Sequence, residues 1–388
     1  MPEPLRLGMV GGGPGAFIGP IHRLAAEMDR RFRLVAGAFS SDPERSRAAG
    51  EAWGLDPSRV HASWQEFLAD EGRRSPEDRV HAVAVVTPNH LHAGPAVAFL
   101  EAGVAVACDK PLADAVESAR AVVEAAEAGG RPCLVTFTYA GYPLVEEMRV
   151  RVAAGDLGEL RRVDVEYFQG WLAEPVERDG QKQAAWRTDP ARAGAAGALG
   201  DIGSHAFHLL EHVSGRPVVA VSGRARSAVA GRSLDDDAAF VLELEGDVLG
   251  SLCVSQVCAG RENGLRLQVA GSRATLLWEQ ERPNDLHVFH ADGRREVVRP
   301  GHPWLAPSAR ALCRTPPGHP EGWLEAFANL YAAFADALED RDGGRPPFPD
   351  AAVGLRVQEL VTAALDASHS GGRVATARMA TRPPGPAS

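Results

Sequence analysis

The chain has 388 residues, 45% hydrophobic and 24% charged, long enough for two ordinary domains and too apolar for disorder to be the default. Its 51 acidic against 41 basic residues leave a formal charge of −10 without a dense Lys/Arg block, which argues against a nucleic-acid partner. No run approaches the roughly 18 apolar residues of a membrane span. Met1 to Arg6 does not read as a signal peptide, and Cys108, Cys133, Cys253, Cys258 and Cys313 lack the close pairing of a metal site or redox dithiol, so a reducing cytoplasm is the expected location.

Leu5 to Val10 is a short apolar run, followed by Gly11-Gly12-Gly13-Pro14-Gly15-Ala16 and by helical apolar spacing over Ile21 to Met28. The pattern predicts strand, glycine turn and helix. Strands are expected at Arg33 to Phe39, Val80 to Val86, Val104 to Cys108 and Cys133 to Thr138, with helices starting at Asp42-Pro43 and spanning Ala113 to Ala128. Such alternation implies a parallel sheet covered by helices.

From about Leu160 the runs lengthen and alternate: Arg161 to Tyr167, Val218 to Ala225, Ala238 to Leu244, Leu249 to Val257 and Leu265 to Val269. Gly/Asp turns such as Glu245-Gly246-Asp247 suit antiparallel hairpins. The expected fold is therefore α/β, with a dinucleotide-binding domain over residues 1–138 and a second α/β domain over 139–388. Pro300 to Pro320 is expected to be irregular, Trp323 to Leu338 and Ala351 to Ala367 helical, and the tail after Gly371 frayed.

In the strand–turn–helix setting Gly11 and Gly13 let the backbone turn tightly and approach a pyrophosphate, whose charge helix amides stabilise. Gly15, Ala16, Phe17 and Ile18 complete this cofactor-binding segment, Ala16 as its third small residue. Such a cluster alone fits a plain turn equally well, and the strand–helix context favours a dinucleotide. At the end of the second strand, where an NAD site carries an acid, stands Ser40. Ser40-Ser41 with Arg45 suit a 2′-phosphate, although Arg45 also reads as a solvated helix residue and Asp42 as a helix cap. The cofactor is NAD or NADP, with NADP favoured.

Three further segments carry a resemblance. Thr87-Pro88-Asn89-His90-Leu91-His92 and Cys108-Asp109-Lys110-Pro111-Leu112 each follow a strand, and Gly200-Asp201-Ile202-Gly203-Ser204-His205 opens a helix. In that order and spacing, with Trp186-Arg187-Thr188-Asp189-Pro190, Asp235-Asp236-Asp237 and Gly318-His319-Pro320-Glu321-Gly322, the chain resembles the glucose–fructose oxidoreductase/inositol dehydrogenase/MocA family over nearly its whole length. The resemblance implies a Rossmann domain followed by a domain whose open, mainly antiparallel sheet walls the substrate cleft. It implies hydride transfer between the nicotinamide and a hydroxyl of a sugar, sugar derivative or cyclitol, and a homo-oligomer, dimer or tetramer, built through that sheet.

By the same resemblance Lys110 corresponds to the lysine of a Glu-Lys-Pro motif, Asp201 and His205 to an acid–base pair, and Thr87, Pro88, Asn89, His92 and Asp109 to the cofactor's surroundings. A neutral imidazole suits proton abstraction from a carbinol hydroxyl, so His205 is the expected base. Asp201, one helical turn earlier, can orient it or anchor a second hydroxyl, and Lys110 can stabilise the reacting oxygen. Asp109 departs from the motif's Glu, and His208 stands where many members carry an acidic substrate contact. Trp186 and Arg187 offer a stacking face and a charge, and Tyr139 and Tyr142 follow the last Rossmann strand, so all four join His208 as substrate-binding candidates. The helical recurrence of His205, His208 and His212 raises a metal site that hydride transfer does not need, and none is expected. A cofactor-recycling aldose oxidoreductase or redox glycosidase, and a non-catalytic dinucleotide sensor, are the alternatives within the resemblance.

Overall fold

The computed structural model describes residues 3–13, 15–345 and 347–376. The first half alternates β1 (Leu5–Gly11), α1 (Ile18–Met28), β2 (Phe32–Ala38), α2 (Pro43–Ala52), α3 (Trp64–Glu71), β3 (Ala82–Val86), α4 (Ala93–Glu101), β4 (Ala105–Cys108), α5 (Val116–Gly129) and β5 (Cys133–Val135). The five strands form a parallel sheet in the order β2-β1-β3-β4-β5. β3 and β4, built of Ala, Val and Cys, are buried throughout, as strands covered on both faces must be.

The chain continues through α6 (Pro143–Ala153), β6 (Leu160–Phe168), α7 (Lys182–Arg187), α8 (Pro190–Ala193) and α9 (Ser204–Ser214). Then come β7 (Val218–Arg226), β8 (Asp237–Leu244), β9 (Val248–Ser255), β10 (Gly264–Gly271), β11 (Ala274–Glu279), β12 (Leu286–His290) and β13 (Arg295–Val298). With β14 (Val374–Ala375) from the chain's end, the second sheet has nine strands in the order β13-β12-β11-β10-β6-β9-β8-β7-β14, antiparallel except for the β6–β9 pair. Its buried face packs on α6 and α9 around Met148, Phe207, Leu252 and Trp278. On the opposite face β8 and β9 leave Val241 and Leu249 exposed.

The closing segment consists of α10 (Pro307–Ala311), α11 (Trp323–Leu338), α12 (Ala351–Ser370) and β14 (Val374–Ala375). Phe327, Tyr331 and Phe334 of α11 share a core with Leu7 and Met9 of β1, so the chain's end returns to the first sheet. Three expectations change. The Pro-rich 300–320 stretch holds α10, and Val374 and Ala375 are not frayed but pair with β7, whose edge they cover. The rest of the tail, from 377 on, lies outside the described residues. The strand expected to reach Thr138 stops at Val135, because the backbone turns into a 3-10 helix over Thr138–Gly141. Among the described residues no helix is long and apolar enough to cross a membrane.

Candidate active site

A cleft of about 1450 Å³ runs from the carboxyl ends of β1 to β4 to the second sheet. Its first end is a backbone cradle. Gly11 and Gly12 hold φ of +87° and +74°, values open to glycine, and Gly13 N–H donates to Phe39 O at 3.0 Å. A Cβ on Gly13 would stand 2.4 Å from that carbonyl oxygen. The close approach of α1 to the turn is at Gly19, whose Cβ would stand 2.4 Å from Gly12 Cα. Helix α1 begins beside this turn without a side-chain cap, leaving its first amides for an anion. Thr87 Oγ1, in the same cleft, is buried without a hydrogen-bond partner. A dinucleotide phosphate and ribose fit these features.

Ser40, Ser41 and Arg45 line the wall beyond β2, with no carboxylate among the lining residues there. Asp42 is turned to helix-capping work, accepting from the amides of Glu44 and Arg45. Phe17, 63% exposed, stacks at 6.0 Å on Trp323, and with Ala16, Ile18, Pro88 and Asn89 both belong to the lining.

Lys110 and Asp201 meet at the far end. Lys110 Nζ donates to Asp201 Oδ1 and to its backbone oxygen, each at 2.8 Å. Arg187 Nε donates to Asp201 Oδ2 at 3.0 Å and Gln256 Nε2 to the same oxygen at 2.9 Å. Burial pushes the Asp201 carboxyl up, but the Arg187 and Lys110 charges and these hydrogen bonds overcome it and hold it well below the usual carboxylate range. Asp201 lies in a π-helical turn, Leu199–Gly203, that runs straight into α9.

His205, on the first turn of α9, also faces the cleft. Its ring stands edge-on to Tyr139 at 4.8 Å and to Phe137 at 5.9 Å, with Nδ1 buried and unpartnered. The imidazole is therefore held by aromatic packing, not by Asp201, whose oxygens go to Lys110, Arg187 and Gln256. Burial first, then the Lys110 charge, pushes His205 well below the ordinary imidazole range, so the ring is neutral near pH 7.

Around this cluster runs a polar network that sequence reading missed. Tyr139 and Tyr167 share a hydrogen bond of 2.5 Å, Tyr167 donates to Asn263 Oδ1 at 2.6 Å, Gln169 to the same oxygen at 2.8 Å, and Trp171 Nε1 to Gln169 Oε1 at 3.0 Å. Tyr167, Gln169, Gln256 and Asn263 stand at or beyond the ends of β6, β9 and β10, which are neighbours in the sheet. No spacing in the sequence links them. Arg187 lies over Trp186 at 4.2 Å and Trp171 at 5.8 Å, making an indole wall.

Four expected contacts lie outside the cleft. Gly15 faces solvent with φ of +80°. His92 is buried with its two ring nitrogens 2.7 Å from Pro111 O and Thr87 O, one of which accepts its N–H, between two loops whose neighbours line the site. Tyr142 packs on Trp278 at 5.2 Å, and His208 stacks on Phe137 at 4.4 Å and on His212 at 5.3 Å. Among the described residues no group of three or more His, Cys, Asp or Glu side chains could hold a metal ion, His205, His208 and His212 included.

A sequence model described as an oxidoreductase family with an NAD-binding Rossmann fold matches residues 5–137, and one for the GFO/IDH/MocA C-terminal domain matches residues 145–277. An uncharacterized oxidoreductase of Bacillus subtilis is 33% identical over 347 residues, 88% of this chain and 87% of that protein. The chain belongs to the GFO/IDH/MocA family. As a GFO/IDH/MocA protein it is an oxidoreductase with an NAD-binding domain. The levoglucosan dehydrogenase of Pseudarthrobacter phenanthrenivorans is 27% identical over 336 residues, 77% of this chain and 82% of that protein. The solved structure of an inositol dehydrogenase homolog from Azotobacter vinelandii, complexed with NADH and myo-inositol, is 38% identical with a TM-score of 0.89, over 96% of this chain and 98% of that one.

Proposed function

We propose that the chain oxidises a secondary hydroxyl of a sugar, sugar derivative or cyclitol, and reduces the corresponding ketone in reverse. The observation that carries this reading is that His205, with Nδ1 buried and unpartnered, lines the same end of the cleft as the hydrogen-bonded Lys110–Asp201 pair, the other end being a glycine cradle. The bound dinucleotide supplies the hydride acceptor. His205 takes the hydroxyl proton on a ring nitrogen as the carbinol hydrogen leaves as hydride. Lys110 donates to the oxygen while negative charge builds there, so the ammonium that lowers the imidazole's basicity also lowers that of the alkoxide. Asp201 stays ionised and holds the ammonium, which leaves the proton to His205. The Trp171 and Trp186 indoles and the Tyr–Asn–Gln network offer stacking faces and hydrogen-bonding groups suited to a polyhydroxylated ring.

The relatives' inositol and levoglucosan chemistry supports this substrate class. NAD is the cofactor their structures hold, whereas the carboxylate-free wall of Ser40, Ser41 and Arg45 favours a 2′-phosphate as well, and we propose that NADP is accepted. Five free cysteines suit a reducing cytoplasm, and the exposed face of the second sheet is the proposed homo-oligomer contact. A screen of polyols, aldoses and inositols with both dinucleotides, followed by absorbance of reduced nicotinamide, tests the reading. Turnover of a cyclic polyol is expected, and its absence across the panel, in protein that binds dinucleotide, overturns it.

A further inference from the structure

His22 lies on α1 and is fully buried, yet nothing in the proposed chemistry uses it. Its Nδ1 meets the Tyr331 hydroxyl of α11 at 2.7 Å, and its ring stands edge-on to Phe327 at 4.8 Å. Its other nitrogen, Nε2, has no hydrogen-bond partner and points at Asp109 Oδ1, 3.7 Å away. That same oxygen accepts from the Lys110 backbone amide at 2.9 Å and from Thr136 Oγ1 at 3.0 Å. When the Tyr331 hydroxyl donates to Nδ1, the ring proton sits on Nε2, facing the carboxylate. The separation is long for a hydrogen bond, and a closure of somewhat under about 1 Å would make one.

We propose that His22 is a positioning residue for Lys110. Acting through Asp109, it fixes the backbone from which the lysine reaches Asp201. The series runs from Tyr331 of α11 to His22, across the 3.7 Å separation to Asp109, and on to Lys110 and Asp201. Because His22 rides on the helix that starts at the glycine cradle, the cradle and the reactive amine are tied to one element. The proposal rests on the reading of Lys110 as a group that touches the reacting oxygen.

The chain has only two lysines, Lys110 and Lys182, so amine labelling reports Lys110 against an internal reference. The test is trace acetylation of the full-length protein with acetic anhydride, quantified by mass spectrometry, alongside steady-state kinetics. In His22→Leu, which keeps the bulk and removes both polar atoms, the loosened Asp201 pairing should raise Lys110 labelling relative to Lys182 by about fivefold. Turnover should fall by about tenfold with the polyol KM within about twofold. His22→Gln, which retains a donor and an acceptor, should restore both readouts toward wild type. Unchanged Lys110 labelling in a folded His22→Leu protein overturns the proposal, as does equal behaviour of the Leu and Gln variants, which would make His22 a packing residue only. Should His22→Leu not fold, Tyr331→Phe is read in the same way, with raised labelling expected and unchanged labelling contradicting the idea. Raised labelling with unaltered turnover would uphold the positioning and remove Lys110 from the reaction instead.

Discussion

Burial and the neighbouring Lys110 ammonium keep His205 neutral across the physiological range, as its proposed role as the base requires. A base must be deprotonated to act, so the rate of oxidation rises with pH through its pKa. Burial and Lys110 lower that pKa, and the rising limb is expected below the ordinary imidazole value of about 6.5. His205→Ala should reduce turnover by about 100-fold and erase the limb, with dinucleotide affinity nearly intact. Wild-type turnover with the limb in place would transfer the role to another group. On the cofactor wall, Ser40→Asp should shift preference toward NAD by repelling a 2′-phosphate and accepting from ribose. An NADP/NAD ratio of kcat/KM equal to wild type would contradict that role for Ser40.

At the scale of elements, the junction of β1 and α1 depends on two glycines pressed backbone to backbone. A side chain on Gly19 meets Gly12 Cα at 2.4 Å, and one on Gly13 meets Phe39 O at the same distance, and neither neighbour is a flexible side-chain tip. Gly19→Val is therefore expected to lower the melting temperature and weaken dinucleotide binding by about tenfold or more, as the cradle opens. Gly72→Ala is the matched control, since its Cβ would find its nearest atoms at 3.6 Å, an ordinary contact. Calorimetric titration with NAD decides the matter, and equal affinities for the Gly19 variant, the control and wild type would show that the junction tolerates bulk. The π-helical turn plays a comparable part at the other end of the cleft. It directs the Asp201 carboxylate to Lys110, Arg187 and Gln256, while His205, four residues on, is left to Tyr139 and Phe137.

On the scale of the molecule, the two sheets are joined twice, once through the cleft and once by α11 and α12, which pack against the first sheet. One face of the nine-stranded sheet is thereby filled with helices, while Val241 and Leu249 on the other remain 56% and 51% exposed. Pairing of that face between copies is the expected use of the surface. The double variant Val241→Asp, Leu249→Asp should then lower the mass measured by light scattering to that of one chain while keeping the circular dichroism of the parent. An unchanged mass would exclude these positions from the contact.

Much of this architecture was legible in the residues alone. The glycine turn, the buried β3 and β4 and the alternation along β8 follow from local rules of backbone freedom and apolar period, and Lys110, Asp201 and His205 stand at element ends where short motifs mark them. Other features depend on neighbours distant in sequence. Tyr167, Gln256 and Asn263 converge because β6, β9 and β10 lie side by side, an order that no single strand encodes. His208 is spaced to share a helix face with His205, but Phe137 closes over it, and His92 is claimed by two backbone carbonyls. Helical spacing lets Asp201 orient the imidazole or anchor a second hydroxyl, and three cationic or amide donors from separate segments turn its oxygens away from the ring. Periodicity in a chain states which side of an element avoids water. Which side chain that face meets, and so whether a histidine becomes a base, a brace or a stacked ring, is decided only when the elements pack.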